Sequence, residues 1–307
     1  MSNNTLPPDL VVGKTVDTAA NLWHLPTDKW AKIWQRVTGR TVKYGNIDTG
    51  VVSHENLPMF THAKSFINGE TVTDKNGHGT HTIGTSIGRN GIGVAPDAEL
   101  HCVGKVLSNG GSGGSDGIAA GIRWCADQGC DVVNASLGGG GPYEPTRQAI
   151  QYLNSRGGIF VAAAGNAGYN GANTIGYPGR FLESICVGAT QRGGGIANFS
   201  SGGRQLDIAC PGQDIISTSH RGGFVNMSGT SMASPFMAGL FCLIIELVRR
   251  EGHGELVTGV DAVRAFLERF AEDRGQAGKD NRYGYGVPRY DKIVDYLAAD
   301  DVTTMSI

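Results

Sequence analysis

Several features are scarce in this 307-residue chain. None of its six cysteines, Cys102, Cys125, Cys130, Cys186, Cys210 and Cys242, forms a Cys-x-x-Cys pair, which removes the usual zinc and dithiol signatures. Most of them sit in apolar strand- or helix-like stretches, so buried free thiols are expected. Cys125 and Cys130 on a single helix would be poorly placed for a disulfide. Charge of either sign is sparse, with a net −2 and a pI near 6.4. The chain therefore has no electrostatic reason to bind nucleic acid or an anionic membrane. No apolar segment approaches membrane-spanning length, and residues 1–14 lack the apolar stretch of a signal peptide. A cytoplasmic location is expected from these absences. Aromatic residues are only 7% of the chain.

Glycine, in contrast, is abundant, at 48 residues without a collagen-like period, and implies many tight turns and close backbone approaches. A hydrophobic content of 40% suffices for one large core. Residues 1–20 are polar and read as an extension; 21–307 read as one domain, with no repeat or linker to divide it.

Strand and helix signals alternate along the chain. Helices are expected at 29–36, from 78, at 116–128, 144–156, 230–250, 258–272 and 289–298. Strands are expected at 42–48, 100–103, 106–107, 131–137, 159–164, 184–188 and 206–209. This alternation predicts an α/β fold, a mostly parallel central sheet with helices on both faces in three layers. Ligands of such sheets bind beyond the carboxyl ends of the strands. Asp48, Ser136 and Asn166 all fall at strand ends, on one rim.

The chemistry gathers around Asn226-Met227-Ser228-Gly229-Thr230-Ser231-Met232-Ala233-Ser234-Pro235. An apolar run follows it, so Ser231 should stand in the first turn of a buried helix, beside unpaired N–H groups. Taken alone, Thr230 or Ser231 could be a simple cap. His78, between two glycines, opens another helix, and Asp48 ends a strand. A serine hydroxyl needs a base, and the base needs a group to fix its tautomer; serine, histidine and aspartate fill those roles. Asn166, at the end of an alanine-rich strand, offers a side-chain N–H for a developing oxyanion. Gly110-Gly111-Ser112-Gly113-Gly114 also matches the G-x-S-x-G elbow of esterases, but any serine in a polyglycine loop does so.

Asn46-Ile47-Asp48-Thr49-Gly50, His78-Gly79-Thr80-His81 and Gly229-Thr230-Ser231-Met232-Ala233-Ser234-Pro235 resemble the three signature blocks of the subtilases, the subtilisin-like serine proteases. Ala163-Ala164-Gly165-Asn166 resembles the family's oxyanion block. The resemblance implies a serine endopeptidase: Ser231 as nucleophile, His78 as general base and acid, Asp48 as orienting group and Asn166 as oxyanion donor. It makes His81 a packing residue. It also implies that a peptide or unfolded protein lies as an added strand between Gly111-Ser112-Gly113 and Ser136-Leu137-Gly138. Ala163, Ala164 and Gly176 would line the pocket for the side chain before the scissile bond, and their small size favours a large apolar or aromatic one. Gly114 and Ser115 suggest an open outer pocket. A ligase or macrocyclase using the same acyl-enzyme, and a non-catalytic binding protein on the same fold, are the competing readings. The short segment between Asp48 and His78 shows no added shield against water, and all four chemical residues are present.

Several positions depart from the family pattern. Only about 20 residues precede the matching region, so either an intracellular type is expected, or a secreted one whose leader and pro-segment have been removed. Leu6-Pro7-Pro8 suggests an autoinhibitory N-terminal segment across the cleft. No cofactor or catalytic metal is expected. The segment Thr85 to Pro96 is short, and Asn56 and Gln191 stand where relatives place acidic ligands, so neither usual calcium site should be well formed; calcium elsewhere stays open. Phe236 replaces a usual histidine and should alter helix packing rather than chemistry.

Overall fold

The computed structural model describes residues 3–5, 10–12 and 22–289, with positions 292 and 295. Most of the expected helix over 289–298 and most of the extension lie outside the described residues. In chain order the strands are β1 (Asn3–Thr5), β2 (Leu10–Val12), β3 (Lys43–Asp48), β4 (His62–Ser65), β5 (Glu99–Lys105), β6 (Ser112–Gly114), β7 (Val132–Ala135), β8 (Ile159–Ala163), β9 (Ile185–Thr190), β10 (Ile208–Pro211), β11 (Ile215–Thr218), β12 (Phe224–Ser228), β13 (Ala271–Glu272) and β14 (Val287–Pro288). The helices are α1 (Thr27–Trp34), α2 (His78–Ile87), α3 (Ser115–Asp127), α4 (Glu144–Ser155), α5 (Thr230–Arg250) and α6 (Val260–Phe270).

Seven strands form one sheet in the order β10-β9-β8-β7-β3-β5-β4, and all of its pairings are parallel. Alternation along each strand divides the core in two. Tyr44, Leu100, Val103, Val132 and Val161 face a core shared with α1, α2, α5 and α6. Ile47, Cys102, Val133 and Phe160 face a second core under α3 and α4. Both faces of the sheet are therefore covered, and its inner strands β7, β8 and β9 are buried throughout and mostly apolar. This is the three-layer α/β/α fold expected from the sequence.

The helix α5 is the central element. It runs for 21 residues against β7, β8, β9 and β10. Contrary to the sequence expectation, it is long and apolar enough to cross a membrane, yet 94% of its apolar stretch is buried inside the fold. It is a core helix, and each wholly buried Phe, Leu or Met side chain on it contributes about 1.5–3 kcal/mol. Phe236 meets Trp30 edge-on, with ring centroids 6.0 Å apart at 89°, and His24 at 6.3 Å. At Gly239 a Cβ would stand 2.6 Å from the Ser86 carbonyl oxygen, so only glycine lets α5 approach α2 this closely.

Several strands differ from the expected pattern. The stretch expected at 100–103 is part of β5, which runs from Glu99 to Lys105, and the stretch expected at 106–107 lies just beyond its end, outside any strand. The edge strand β4 is half-exposed and polar, and the hairpin β11–β12 mixes hydroxyl and apolar residues; neither presents the apolar run that marks the inner strands.

Candidate active site

Asp48 is the last residue of β3 and is 1% exposed. The backbone N–H of Thr49 donates to its Oδ1 at 2.6 Å. His78 is the first residue of α2, and its Nδ1 lies 2.8 and 2.9 Å from the two Asp48 oxygens. A carboxylate only accepts, so Nδ1 carries the proton and Nε2 is left as the basic nitrogen.

A second layer holds this pair. The buried Asp74 carboxylate accepts from Thr49 Oγ1 at 2.9 Å, Asn76 N at 3.0 Å and Gly77 N at 2.7 Å. It also accepts from Thr80 N at 2.9 Å and Thr80 Oγ1 at 2.7 Å. Asp74 thereby takes the Thr80 N–H in the first turn of α2 and the two N–H groups that lead into the helix, and ties it to the residue after Asp48. Thr49 Oγ1 in turn accepts from Gly79 N at 2.9 Å. A Cβ on Gly79 would lie 2.4 Å from the Gly50 carbonyl oxygen, which is why bulk is excluded beside the histidine. Sequence reasoning missed Asp74, although an acid just before a helix start is a known capping signal.

Ser231 is the second residue of α5 and fully buried. Gly229 occupies the cap position, without a side-chain capping bond. Ser231 Oγ has no hydrogen-bond partner among the described residues, so the simple-cap reading fails. Thr230 has a different task. Its N–H and its Oγ1 both donate to Asn166 Oδ1 at 2.9 Å, and its Oγ1 accepts from Gly165 N at 3.0 Å. A backbone N–H can only donate, so the amide of Asn166 is oriented: its oxygen faces Thr230 and its NH2 is the end directed elsewhere.

Ser136 lies beneath the serine. Pro235 sits inside α5 and has no N–H to close the helical bond to the Ser231 carbonyl, four residues earlier. Ser136 Oγ donates to that carbonyl at 2.8 Å and lies 2.9 Å from Ser234 Oγ. Asn134 Nδ2 donates to Ser136 Oγ at 3.0 Å and to Asn46 Oδ1 at 2.9 Å. The Ser136 side chain therefore points under the helix, and only its backbone is placed to form a cleft edge. Leu137 is wholly buried in the α3/α4 core.

The other expected cleft residues are spread along the same rim. Ser112, Gly113 and Gly114 form β6, and β1 of this chain already pairs with it antiparallel, Asn3 with Gly114, Asn4 with Gly113 and Thr5 with Ser112. Gly111, at φ 78°, turns the chain into that strand. Gly176 N donates to the Ala164 carbonyl at 3.0 Å, and a Cβ on Gly176 would meet Gly139 N at 3.2 Å; Gly138 lies beside it. Ala163 and Ala164 are buried, and Ala164 packs with Ile175, Cys186 and Leu206. Beyond Gly114, a hollow is bounded by Ser115, Ile118, Tyr143, Tyr177, Pro178 and Phe181.

Two further buried groups frame the site. His81 donates from Nε2 to the carbonyl oxygens of Ile215 at 3.1 Å and Val225 at 3.2 Å, pinning α2 to the β11–β12 hairpin. Burial, with the charge of His78 second, holds its pKa down at about 3. Lys105 is fully buried, and its Nζ donates to Thr49 O at 2.7 Å, Thr73 O at 3.1 Å and Asn109 Oδ1 at 2.8 Å, with Glu70 Oε2 3.1 Å away. It thus fixes the backbone just after Asp48. At the expected calcium positions the side chains are neutral amides, and Asn56 donates its NH2 to the Arg89 carbonyl at 3.4 Å.

The comparisons agree with this geometry. The subtilase family profile matches residues 39–286. Subtilisin DY of Bacillus licheniformis is 42% identical over 218 residues, 69% of this chain and 79% of that protein. Subtilisin Savinase of Lederbergia lenta is 42% identical over 213 residues, 68% of this chain and 77% of the relative. The M-protease of Shouchella clausii matches at the same identity over 55% of its own length. A histidine–aspartate pair on the carboxyl rim of a parallel sheet, a buried serine in the first turn of the central helix and a match of this extent agree with one another, and the chain belongs to the subtilase family as a subtilisin-like serine protease.

Proposed function

We propose that the chain is an endopeptidase in which Ser231 is the nucleophile, His78 the general base and acid, Asp48 the orienting carboxylate and Asn166 an oxyanion donor. The observation that carries the reading is the two-oxygen hold of Asp48 on His78 Nδ1, which leaves Nε2 basic. Ser231 Oγ attacks the peptide carbonyl as its proton passes to Nε2. The oxyanion that forms accepts from Asn166 Nδ2 and from the Ser231 N–H. His78 then protonates the departing amine, and water resolves the acyl-enzyme by the same route. The small residues Ala163, Ala164 and Gly176 favour a large apolar or aromatic side chain before the scissile bond. Backbone pairing along Gly111-Ser112-Gly113 and Ser136-Leu137-Gly138 gives breadth of sequence.

The antiparallel pairing of Asn3–Thr5 with Ser112–Gly114 supports an inhibitory N-terminal segment, since it occupies the edge a substrate strand would use. No cofactor is required in this reading, and neutral Asn56 and Gln191 argue against the usual calcium sites. The relatives lend no support to the cytoplasmic location expected from the sequence, and the secreted alternative stands beside it.

Labelling with a fluorophosphonate probe, alongside digestion of an unfolded protein, tests the assignment. Both should vanish in Ser231→Ala; labelling that survives the substitution would remove Ser231 as nucleophile. Deleting residues 2–15 should raise the initial rate, and an unchanged rate would sink the inhibitory segment.

A further inference from the structure

Three cysteines converge away from the protease site. Cys102 lies on β5, Cys125 in the last turns of α3 and Cys130 in the turn leading to β7, all buried. Their sulfur atoms lie within 4.8 Å of one another. Gly45 of β3 faces Cys102 across the sheet, and a Cβ there would stand 3.0 Å from Cys130 Sγ and 3.5 Å from Cys125 Sγ. Glycine at this position leaves the sulfurs their space. The expectation that Cys125 and Cys130 share one helix is corrected here: α3 ends at Asp127, and the turn brings Cys130 back, with its N–H donating to the Cys125 carbonyl at 3.1 Å.

We propose that Cys102, Cys125 and Cys130 form a tris-thiolate site for a single trivalent thiophilic centre, of which arsenic(III) is the accessible probe. Thiolates select soft ions. With metal–sulfur bonds of about 2.3 Å, three sulfurs around one ion stand about 4 Å apart, within the spacing seen. Four-coordinate zinc requires another ligand. No His, Asp or Glu among the described residues joins the three sulfurs at that spacing. The neighbouring His101 has both ring nitrogens engaged, with Glu99 Oε1 at 2.7 Å and the Gln128 carbonyl at 2.9 Å.

Charge selects the valence. The three cysteines belong to the apolar core between the sheet and α3 and α4, where a net charge is expensive. Three thiolates around a monovalent ion leave two negative charges, and around a divalent ion one. Around a trivalent centre they leave none. Loading from arsenous acid consumes three S–H and three As–OH groups, forms three As–S bonds and releases three waters, with no change of oxidation state. Cys130, at 4% exposure, lies nearest the surface and marks the way in.

The test uses the full chain carrying Ser231→Ala to prevent self-digestion, incubated with arsenite or zinc(II) and then desalted. Native mass spectrometry should show one arsenic per chain, and thiol titration after denaturation should find three fewer reactive thiols than the six of the untreated chain. Cys102→Ala and Cys130→Ala should abolish retention, and Cys186→Ala should leave it unchanged. Arsenic X-ray absorption on the parent chain needs no variant and should show three sulfur neighbours without oxygen. No retained arsenic, retention unchanged by Cys102→Ala, or retention of zinc instead would each overturn the proposal.

Discussion

Replacing Ser136 by alanine removes the hydroxyl that, among the described residues, donates to the carbonyl that Pro235 leaves without a helical partner. The carbonyl belongs to Ser231, in a fully buried turn, so water cannot take over the bond. An unsatisfied buried acceptor costs about 1–3 kcal/mol, and Asn134 Nδ2 loses one of its two acceptors as well. At roughly 2–4 °C per kcal/mol for a large domain, Tm should fall by about 2–12 °C. Calorimetry in the Ser231→Ala background avoids autolysis. The decisive comparison is with Pro235→Ala, which returns an N–H four residues after Ser231. In that background the loss of the Ser136 hydroxyl should cost less, with a coupling of about 1 kcal/mol or more. Strict additivity of the two changes would refute the claim that Ser136 stands in for the missing backbone donor.

Other expectations follow from the same geometry. Asn166→Ala should lower kcat by about 10²–10³ with a smaller change in KM, a magnitude taken from the same donor in a subtilisin; steady-state kinetics on a peptide substrate checks it. Asp74→Ala strips five donors of their acceptor and should destabilise by about 3 kcal/mol or more; Asp74→Asn should fall between it and the parent in Tm, with kcat reduced more than KM. His24 and His81 are both buried with pKa about 3, below the ordinary 6.5. The unfolded chain therefore binds more protons between those values, and stability is complete above pH 6.5 and declines as pH falls towards 3. His81→Gln should flatten that decline in a series of Tm values against pH, and an unchanged slope would contradict the neutral buried ring.

Asp48, His78, Ser231 and Asn166 were legible because each follows or opens an element whose apolar pattern is plain, and because glycine marks the tight approach at His78. What escaped is the layer behind them. Asp74 lies in a polar loop, Asp-Lys-Asn-Gly, where an acid is unremarkable until its five donors converge on it. The family resemblance gives Ser136-Leu137-Gly138 as a cleft edge, which concerns the backbone and does not say which way the Ser136 hydroxyl turns; the vacancy left by Pro235 decides that. Lys105 was hidden at the junction of two strand stretches read separately. The inner strands of the sheet were recovered because they are buried on both faces; its edge strand β4 was lost because exposure dilutes the apolar signal, and the separate β11–β12 hairpin because hydroxyl and amide side chains interrupt its apolar residues.

The place of α5 in the chain has a consequence in time. Asp48 and His78 leave the ribosome early, while Ser231 stands about three quarters of the way along the sequence. At about 5–20 residues per second, the interval between His78 and Ser231 is roughly ten to thirty seconds. From their own synthesis until that of α5, the strands β7, β8 and β9 have no helix on the face that α5 will cover, and that face is open to association with neighbouring chains. On the proposed assignment, the same delay means that the Asp48–His78–Ser231 centre cannot assemble on a growing chain before α5, the element that completes its core, has begun to be made.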